Sequence, residues 1–154
     1  MTKLTLERPT AEHIQLVADR MRQADRDEVE AGSDRTPHGA LVYSVENSTG
    51  AWTALFDGVP AAIFGVGDIN ILTRVGAPWM LGTDDLERNF RPFLRTSISF
   101  RDQLLQRYSI LRNFVDVRNT VSIRWLEWLG FTFLDPITVR GHEFRLFELR
   151  SDNV

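Results

Sequence analysis

Residues 119–131 read NTVSIRWLEWLGF, and the fold turns on this stretch. Asn119 stands where a helix N-cap belongs, since a short polar side chain there accepts a hydrogen bond from a free first-turn N–H. Gly130 stands where a helix stops, since glycine adopts the left-handed backbone that ends one. The spacing predicts a short, bounded helix. Asn119, Ser122, Leu126 and Leu129 follow one stripe, and Val121, Trp125 and Trp128 the next, so most of the circumference is expected to be buried. Upstream, ILRNFVDV (residues 110–117) alternates and is rich enough in branched and aromatic residues to be a strand. Downstream, FTFL (131–134) resumes one. Strand, cap, helix and strand make an α/β unit.

Working outward, HEFRLFELR (142–150) alternates as a final strand would, ahead of the polar tail SDNV. On the other side, apolar residues recur at helical spacing from Asn89 to Tyr108, the longest helix, with Pro92 tolerable in its first turn. AWTALF and VPAAIFGVG flank Asp57-Gly58, a strong hairpin signal. A loop around Gly76 to Pro78 is expected to lead into a short strand at WMLGT, followed by the polar run TDDLERN. LTLER (4–8) reads as a strand stopped by Pro9, after which Thr10 caps a helix containing Ile14, Val17, Ala18 and Met21. Residues 19–36, DRMRQADRDEVEAGSDRT, carry mixed charge and end in a Gly-Ser-Asp loop, which predicts a solvated helix face. HGALVYSVEN (38–47) is expected to be helical. The order is β-α-α-β-β-β-α-β-α-β: an α/β protein with a mixed sheet, one domain over residues 1–150 and a tail over 151–154.

Composition narrows the function classes. The chain has 154 residues, 43% of them hydrophobic, enough for a single core. A formal net charge of -3 with interspersed charges argues against a broad surface for nucleic acid or anionic lipid. The absence of cysteine removes disulfides, thiolate metal sites and a thiol nucleophile, and fits a reducing compartment. His13, His38 and His142 are too scattered for a zinc motif, and no metal is expected. Neither a signal-length apolar segment nor a membrane-spanning run occurs, so a soluble cytoplasmic protein is expected.

The element order and the motif in residues 119–131 resemble the GCN5-related N-acetyltransferase (GNAT) superfamily. Its penultimate strand and helix commonly read Asn, two residues, a small residue, three residues, Tyr, three residues, Gly-Phe. Asn119, Ser122, Gly130 and Phe131 occupy those positions, and LERPT resembles the family's first strand-helix junction. A second resemblance, over residues 58–149, is to the internal virion protein A family of short-tailed phages, a divergent GNAT-like group. It rests on GVPAAIFG, FRPFL, FRDQLLQRY, NFVDVRNTVSIRWLEWLGF and RGHEFRLFEL in that order.

The first resemblance implies a GNAT-like acyl-CoA N-acyltransferase fold, in which acetyl-CoA or CoA lies between two splayed strands with its pyrophosphate at the N-terminus of the long helix. Carried over, the slot is at Met80, Leu81, Gly82 and the 110–117 strand. Asn119, Ser122 and Leu126 line the channel, and Arg88 and Arg91 lie at the phosphate end. The implied acceptor is an amine of a small molecule or host protein. The second resemblance implies a phage or prophage origin, a partner in the virion or the host, and a place in the host cytoplasm during infection or with the particle.

Two departures bear on the chemistry. The segment GTDDLERNFRPF lacks the family's glycine-rich phosphate loop, and Asp84, Asp85 and Glu87 add like charge there. Arg88, Arg91 and Arg95 are either phosphate ligands or partners of that acidic run. The family's proton-donating tyrosine falls at Leu126, leaving Tyr43 or Tyr108 to replace it. Asp68, Glu46 and His38 are candidate bases, and none is assigned a catalytic role. Three functions fit: an N-acyltransferase, a non-catalytic GNAT-fold assembly protein, and a binder of another ligand or host protein through the same cleft.

Overall fold

The computed structural model describes residues 2–153. Seven strands form one mixed sheet: β1 (Leu4–Glu7), β2 (Gly50–Phe56), β3 (Val59–Asn70), β4 (Val75–Gly82), β5 (Ile110–Asp116), β6 (Thr132–Val139) and β7 (His142–Arg150), in the order β1-β2-β3-β4-β5-β7-β6. All neighbours are antiparallel except β4 and β5. Asp57 (φ 51) and Gly58 (φ 82) make the two-residue turn from β2 to β3, both in the left-handed region that twisted hairpins require. Among the described residues the helices are α1 (Ala11–Asp19), α2 (Gln23–Gly32), α3 (Pro37–Glu46), the single turn α4 (Asp85–Arg88), α5 (Phe90–Arg107) and α6 (Thr120–Trp128). Ser151–Asn153 forms a 3-10 turn.

The local expectations hold where a specific residue enforces them. Thr10 caps α1, its Oγ1 accepting from the His13 N–H at 3.1 Å while the His13 ring accepts from the Thr10 N–H. Pro92 falls in the first turn of α5, where its missing N–H costs nothing. Three details differ. Gly76 to Pro78 belong to β4 rather than to a loop, because Val66, Gly67 and Asp68 of β3 pair with them. Residues 19–36 include a whole additional helix, α2. The end of the chain holds a hairpin, β6 and β7, in which β7 inserts between β5 and β6.

The core has a layer on each side of the sheet, set by strand alternation. Ile63 and Leu81 point to one face and meet Val17, Ala18, Met21 and Leu41 of α1, its C-terminal flank and α3. Ala62 and Phe64 point to the other and meet Phe93 of α5. Farther along that second face, Leu104 of α5 and Leu126 of α6 pack with Leu111, Val115 and Phe147. The expected burial of α6 is corrected: Trp128 is 58% exposed and Val121 39%, and within the helix only Leu126 is fully buried. One face of α6 packs on the sheet and the other is open. Among the described residues no helix is long and apolar enough to cross a membrane.

Candidate functional site

β4 and β5 are parallel and pair only at Val75–Ile110 and Gly76–Leu111; beyond these two pairs the strands part. At the fork the Asn113 side-chain N–H donates to the Pro78 carbonyl at 2.8 Å, bridging the strands where a continued ladder would place a backbone donor. The opening holds a cavity of about 320 Å³. Its walls come from both faces of the sheet: Glu28, Tyr43 and Ser44 from α2 and α3, and Thr96, Phe100 and Trp125 from α5 and α6. The gap is therefore a passage through the sheet. Met80, Leu81, Ser122 and Leu126, all anticipated from the sequence, line it.

Gly82 and Asn119 sit in a buried polar network beside the passage. Arg22, only 3% exposed, grips Asp25, 1% exposed, through two hydrogen bonds of 2.8 and 3.2 Å. The same guanidinium donates to Glu87 at 2.9 Å, to Asn119 Oδ1 at 3.3 Å and to Ser122 Oγ at 3.2 Å. Asp25 accepts in turn from the Gly82 N–H at 2.9 Å and the Asn119 amide at 3.1 Å, and the Gly82 carbonyl accepts from the Arg22 N–H at 2.8 Å. Both backbone groups of Gly82 are thus engaged by the start of α2. Asn119 serves two structures at once, since its Oδ1 also accepts from the Ser122 N–H at 3.4 Å as the cap of α6. Burial acts against the Arg22 charge, but hydrogen bonds and attraction from Asp25 and Glu87 outweigh it and raise its pKa.

One turn along α2, Glu28 meets Asp116 at the end of β5. Burial, together with the charges of Asp25 and Asp116, pushes Glu28 up to about 7, against the hydrogen bond it accepts from the Asp116 N–H at 2.8 Å and the nearby Asn119 amide. Asp116 moves the other way. Burial opposes its ionisation, and the Arg118 guanidinium at 2.7 Å overcomes that and holds the carboxyl below the usual range. Glu28 is thus a proton-exchanging group near neutrality, part-exposed in the wall of the passage.

The segment that the resemblance assigns to a phosphate is differently built. The segment 83–89 is wound into α4, whose Leu86, Glu87, Arg88 and Asn89 N–H groups donate to the carbonyls of Thr83, Asp84 and Asp85. Four N–H groups of this segment are thereby taken up within the helical turn. Arg88 pairs with Asp85 at 2.9 Å and is 71% exposed; Arg91 and Arg95 lie on the exposed side of α5. Arg22 and Glu87 meet across the space, and the Phe90 and Trp128 rings stack edge-on at 5.6 Å. A crevice of about 10 Å³, about the room one water needs, remains beside Arg22, Glu87, Phe90 and Trp125.

The candidate proton-transfer groups are dispersed. Tyr43 stands in the wall of the passage with the Arg35 guanidinium 3.7 Å above its ring. Tyr108 does not: its hydroxyl donates to Asp68 at 2.5 Å and meets Thr49 at 3.0 Å, and burial, then Asp68, raises its pKa. Asp68 is taken up by that contact, and Glu46 and His38 are exposed and line no part of the passage. Arg22, Asp25 and Glu28 were missed because residues 19–36 look like a solvated charged segment. A signal was present, since positions 22, 25, 29 and 32 share one helical face, and that face carries Val29 and Gly32 beside the charges.

Residues 69–138 match the family described as Bacteriophage T7, probable scaffold protein Gp13. The chain is 34% identical over 93 residues to the probable scaffold protein gp13 of Escherichia phage T7, a match spanning 60% of this chain and 64% of that protein. Among solved structures, it is similar to a GNAT-family acetyltransferase from Bacillus anthracis (TM-score 0.73, 7% identity, 97% of this chain and 96% of that one). It is also similar to spermidine N-acetyltransferase from Vibrio cholerae in complex with CoA and spermine (TM-score 0.70, 13% identity, 97% and 96%). The chain has the GNAT fold.

Proposed function

We propose that this chain is a phage virion-assembly protein of scaffold type, built on a GNAT fold whose acyl-CoA phosphate site has been closed. The observation that carries the reading is the network of Arg22, Asp25 and Glu87 across Gly82 and α4. It fills with the chain's own groups the place where a GNAT enzyme needs backbone N–H groups for a pyrophosphate. Opening that place would cost the buried Arg22 guanidinium its bond to Glu87, one of the two carboxylates that balance its charge. The similarity to a probable scaffold protein points the same way. The partners are then virion or host proteins.

The test has two arms. Calorimetric titration of the purified chain with acetyl-CoA should give no heat at millimolar ligand; micromolar binding weakened by Arg88→Ala or Arg91→Ala would refute the closed site. In a phage that encodes this chain, a stop codon in its gene should lower the yield of complete particles. Supply of the Glu28→Gln variant in trans should restore that yield.

One observation favours acetyl transfer as the second reading. Glu28 lies in the wall of a passage through the sheet with its pKa at about 7, where a base could take the proton of an amine attacking a thioester. Leu126 offers no proton to a leaving thiolate, and Tyr43 is the phenol in the same wall. On this reading Glu28→Gln abolishes both transfer to spermine and rescue of particle yield, which separates it from the first.

A further inference from the structure

We propose that Glu28 is a pH-operated latch between α2 and β5. Neutral, it fastens the second half of α2 to the end of β5; ionised, it releases that half and turns toward solvent. The geometry divides α2 into a tethered half and a latched one. In the first, Asp25 is bound to Arg22, Gly82 and Asn119, and Arg26 donates to the carbonyls of Ala18, Asp19 and Met21 at 2.9 Å. From Asp27 to Gly32, two hydrogen bonds reach another part of the chain among the described residues. Glu28 accepts from the Asp116 N–H at 2.8 Å, and the Asp27 carbonyl accepts from the exposed Arg118 at the long distance of 3.4 Å. Otherwise this half rests on packing: Val29 lies beside Val17 and Leu41, and Gly32 faces the Phe144 ring.

The charges around the latch do not balance. Asp25 has Arg22, which Glu87 shares, and Asp116 has Arg118 at 2.7 Å. Glu28 forms no ion pair among the described residues, and its partner is a neutral N–H. The other charged groups nearby do not supply a cation: on α2 stands Asp27, His142 of β7 acts on Asp116, and Arg35 after α2 covers the Tyr43 ring. A third carboxylate would thus add to two, in a place poor in water. That is why Glu28 keeps its proton up to about 7, although the Asp116 N–H favours the charged form. Once ionised, the carboxyl has solvent within reach, since Glu28 is part-exposed in the wall of the passage. Linkage sets the size of the effect. With the fastened carboxyl at about 7 and a released one at the ordinary 4.5, release becomes about tenfold more favourable between about pH 6 and about pH 8.5. The Asp116 N–H then loses its acceptor, and Val29, Gly32 and Ser33 in the same wall lose the bond that fixes their half of α2.

The test follows the full chain by NMR and amide hydrogen exchange across that pH range. The Glu28 side-chain carboxyl carbon and the Asp116 amide should titrate together, with a midpoint near 7. After correction for the intrinsic exchange rate, protection of Asp116 and of residues 27–33 should fall about tenfold from about pH 6 to about pH 8.5. Ile63, in the middle of the sheet, should not follow, which separates release of α2 from unfolding of the whole chain. Glu28→Gln keeps an acceptor for the Asp116 N–H and cannot ionise, so in that variant the fall should vanish. Both resonances are read on the unaltered protein, so the test stands even where the variant folds poorly. A Glu28 midpoint near 4.5, a Glu28 titration that leaves the Asp116 amide unmoved, an equal loss of protection at Ile63, or the same fall in Glu28→Gln would each overturn the latch.

Discussion

Arg22 and Asp25 have no exposed surface worth the name and hold each other, Gly82, Asn119 and Ser122. Arg22→Ala should therefore destabilise by about 3–5 kcal/mol in urea unfolding, since it leaves a buried aspartate unpaired. Replacing both partners, as Arg22→Met with Asp25→Leu, should not restore full stability, because the Gly82 N–H would remain buried without an acceptor. Glu28 gives a pH dependence of definite sign. Its folded pKa of about 7 lies above the ordinary 4.5, so the folded state binds the extra proton. Its contribution is fully present below pH 4.5 and is lost as pH rises through about 7. Glu28→Gln removes the ionisable group, and at about pH 8 should raise stability over the unaltered chain by on the order of 1–3 kcal/mol. Near pH 4.5 the gain should vanish. Asp116, held low by Arg118, acts oppositely: its contribution is lost as pH falls below the ordinary carboxylate range.

Helix α6 owes its position to one buried stripe, with Leu126 at its centre against Leu111, Val115 and Phe147. Leu126→Ala should cost about 2–5 kcal/mol, toward the upper end because the passage beside it already lacks filling atoms. In the sheet, Gly65 of β3 lies directly against the Gly50 carbonyl and the Ala51 backbone of β2. A Cβ there meets backbone, which cannot swing aside as a side chain can. Gly65→Ala should accordingly destabilise by about 1–3 kcal/mol, measured by thermal unfolding. Gly58, with open space around it and φ +82, is a different case, since there the strain is of the backbone alone.

For the whole molecule, the telling feature is that the network joins groups far apart in the chain. Asn119 bonds Asp25 across 94 residues, and Arg22 reaches Ser122 across 100. These contacts clamp the N-terminal α2 to the cap of α6 and to the end of β4, on the rim of the fork. A double-mutant cycle between Asp25→Ala and Asn119→Ala should report a coupling of about 1–3 kcal/mol, while Asp25→Ala with Leu149→Ala, which share no partner, should add within about 0.5 kcal/mol. The same residues tie the end of β4 to the cap of α6 beside the passage.

The sequence by itself determined the elements whose signals are local. Asn119 and Thr10 start their helices by bonding N–H groups a few residues on, Asp57-Gly58 makes its turn from its own φ angles, and alternation in residues 110–117 marks a strand. From these and the motif in residues 119–131 the GNAT fold was legible, as were four residues of the passage wall: Met80, Leu81, Ser122 and Leu126. The tertiary structure alone decided the rest. A charge is solvated or buried according to what the rest of the chain brings to it, and nothing within residues 19–36 discloses that Gly82 and Asn119 arrive at Arg22 and Asp25. The same holds for Glu28, whose proton affinity is set by burial and by Asp116 in a distant strand, and for α6, whose outer face stays open because no element crosses it. The winding of residues 83–89 into a helical turn likewise became visible only with its carbonyl partners in place. Periodicity reports which face of an element is apolar; only packing determines what meets it.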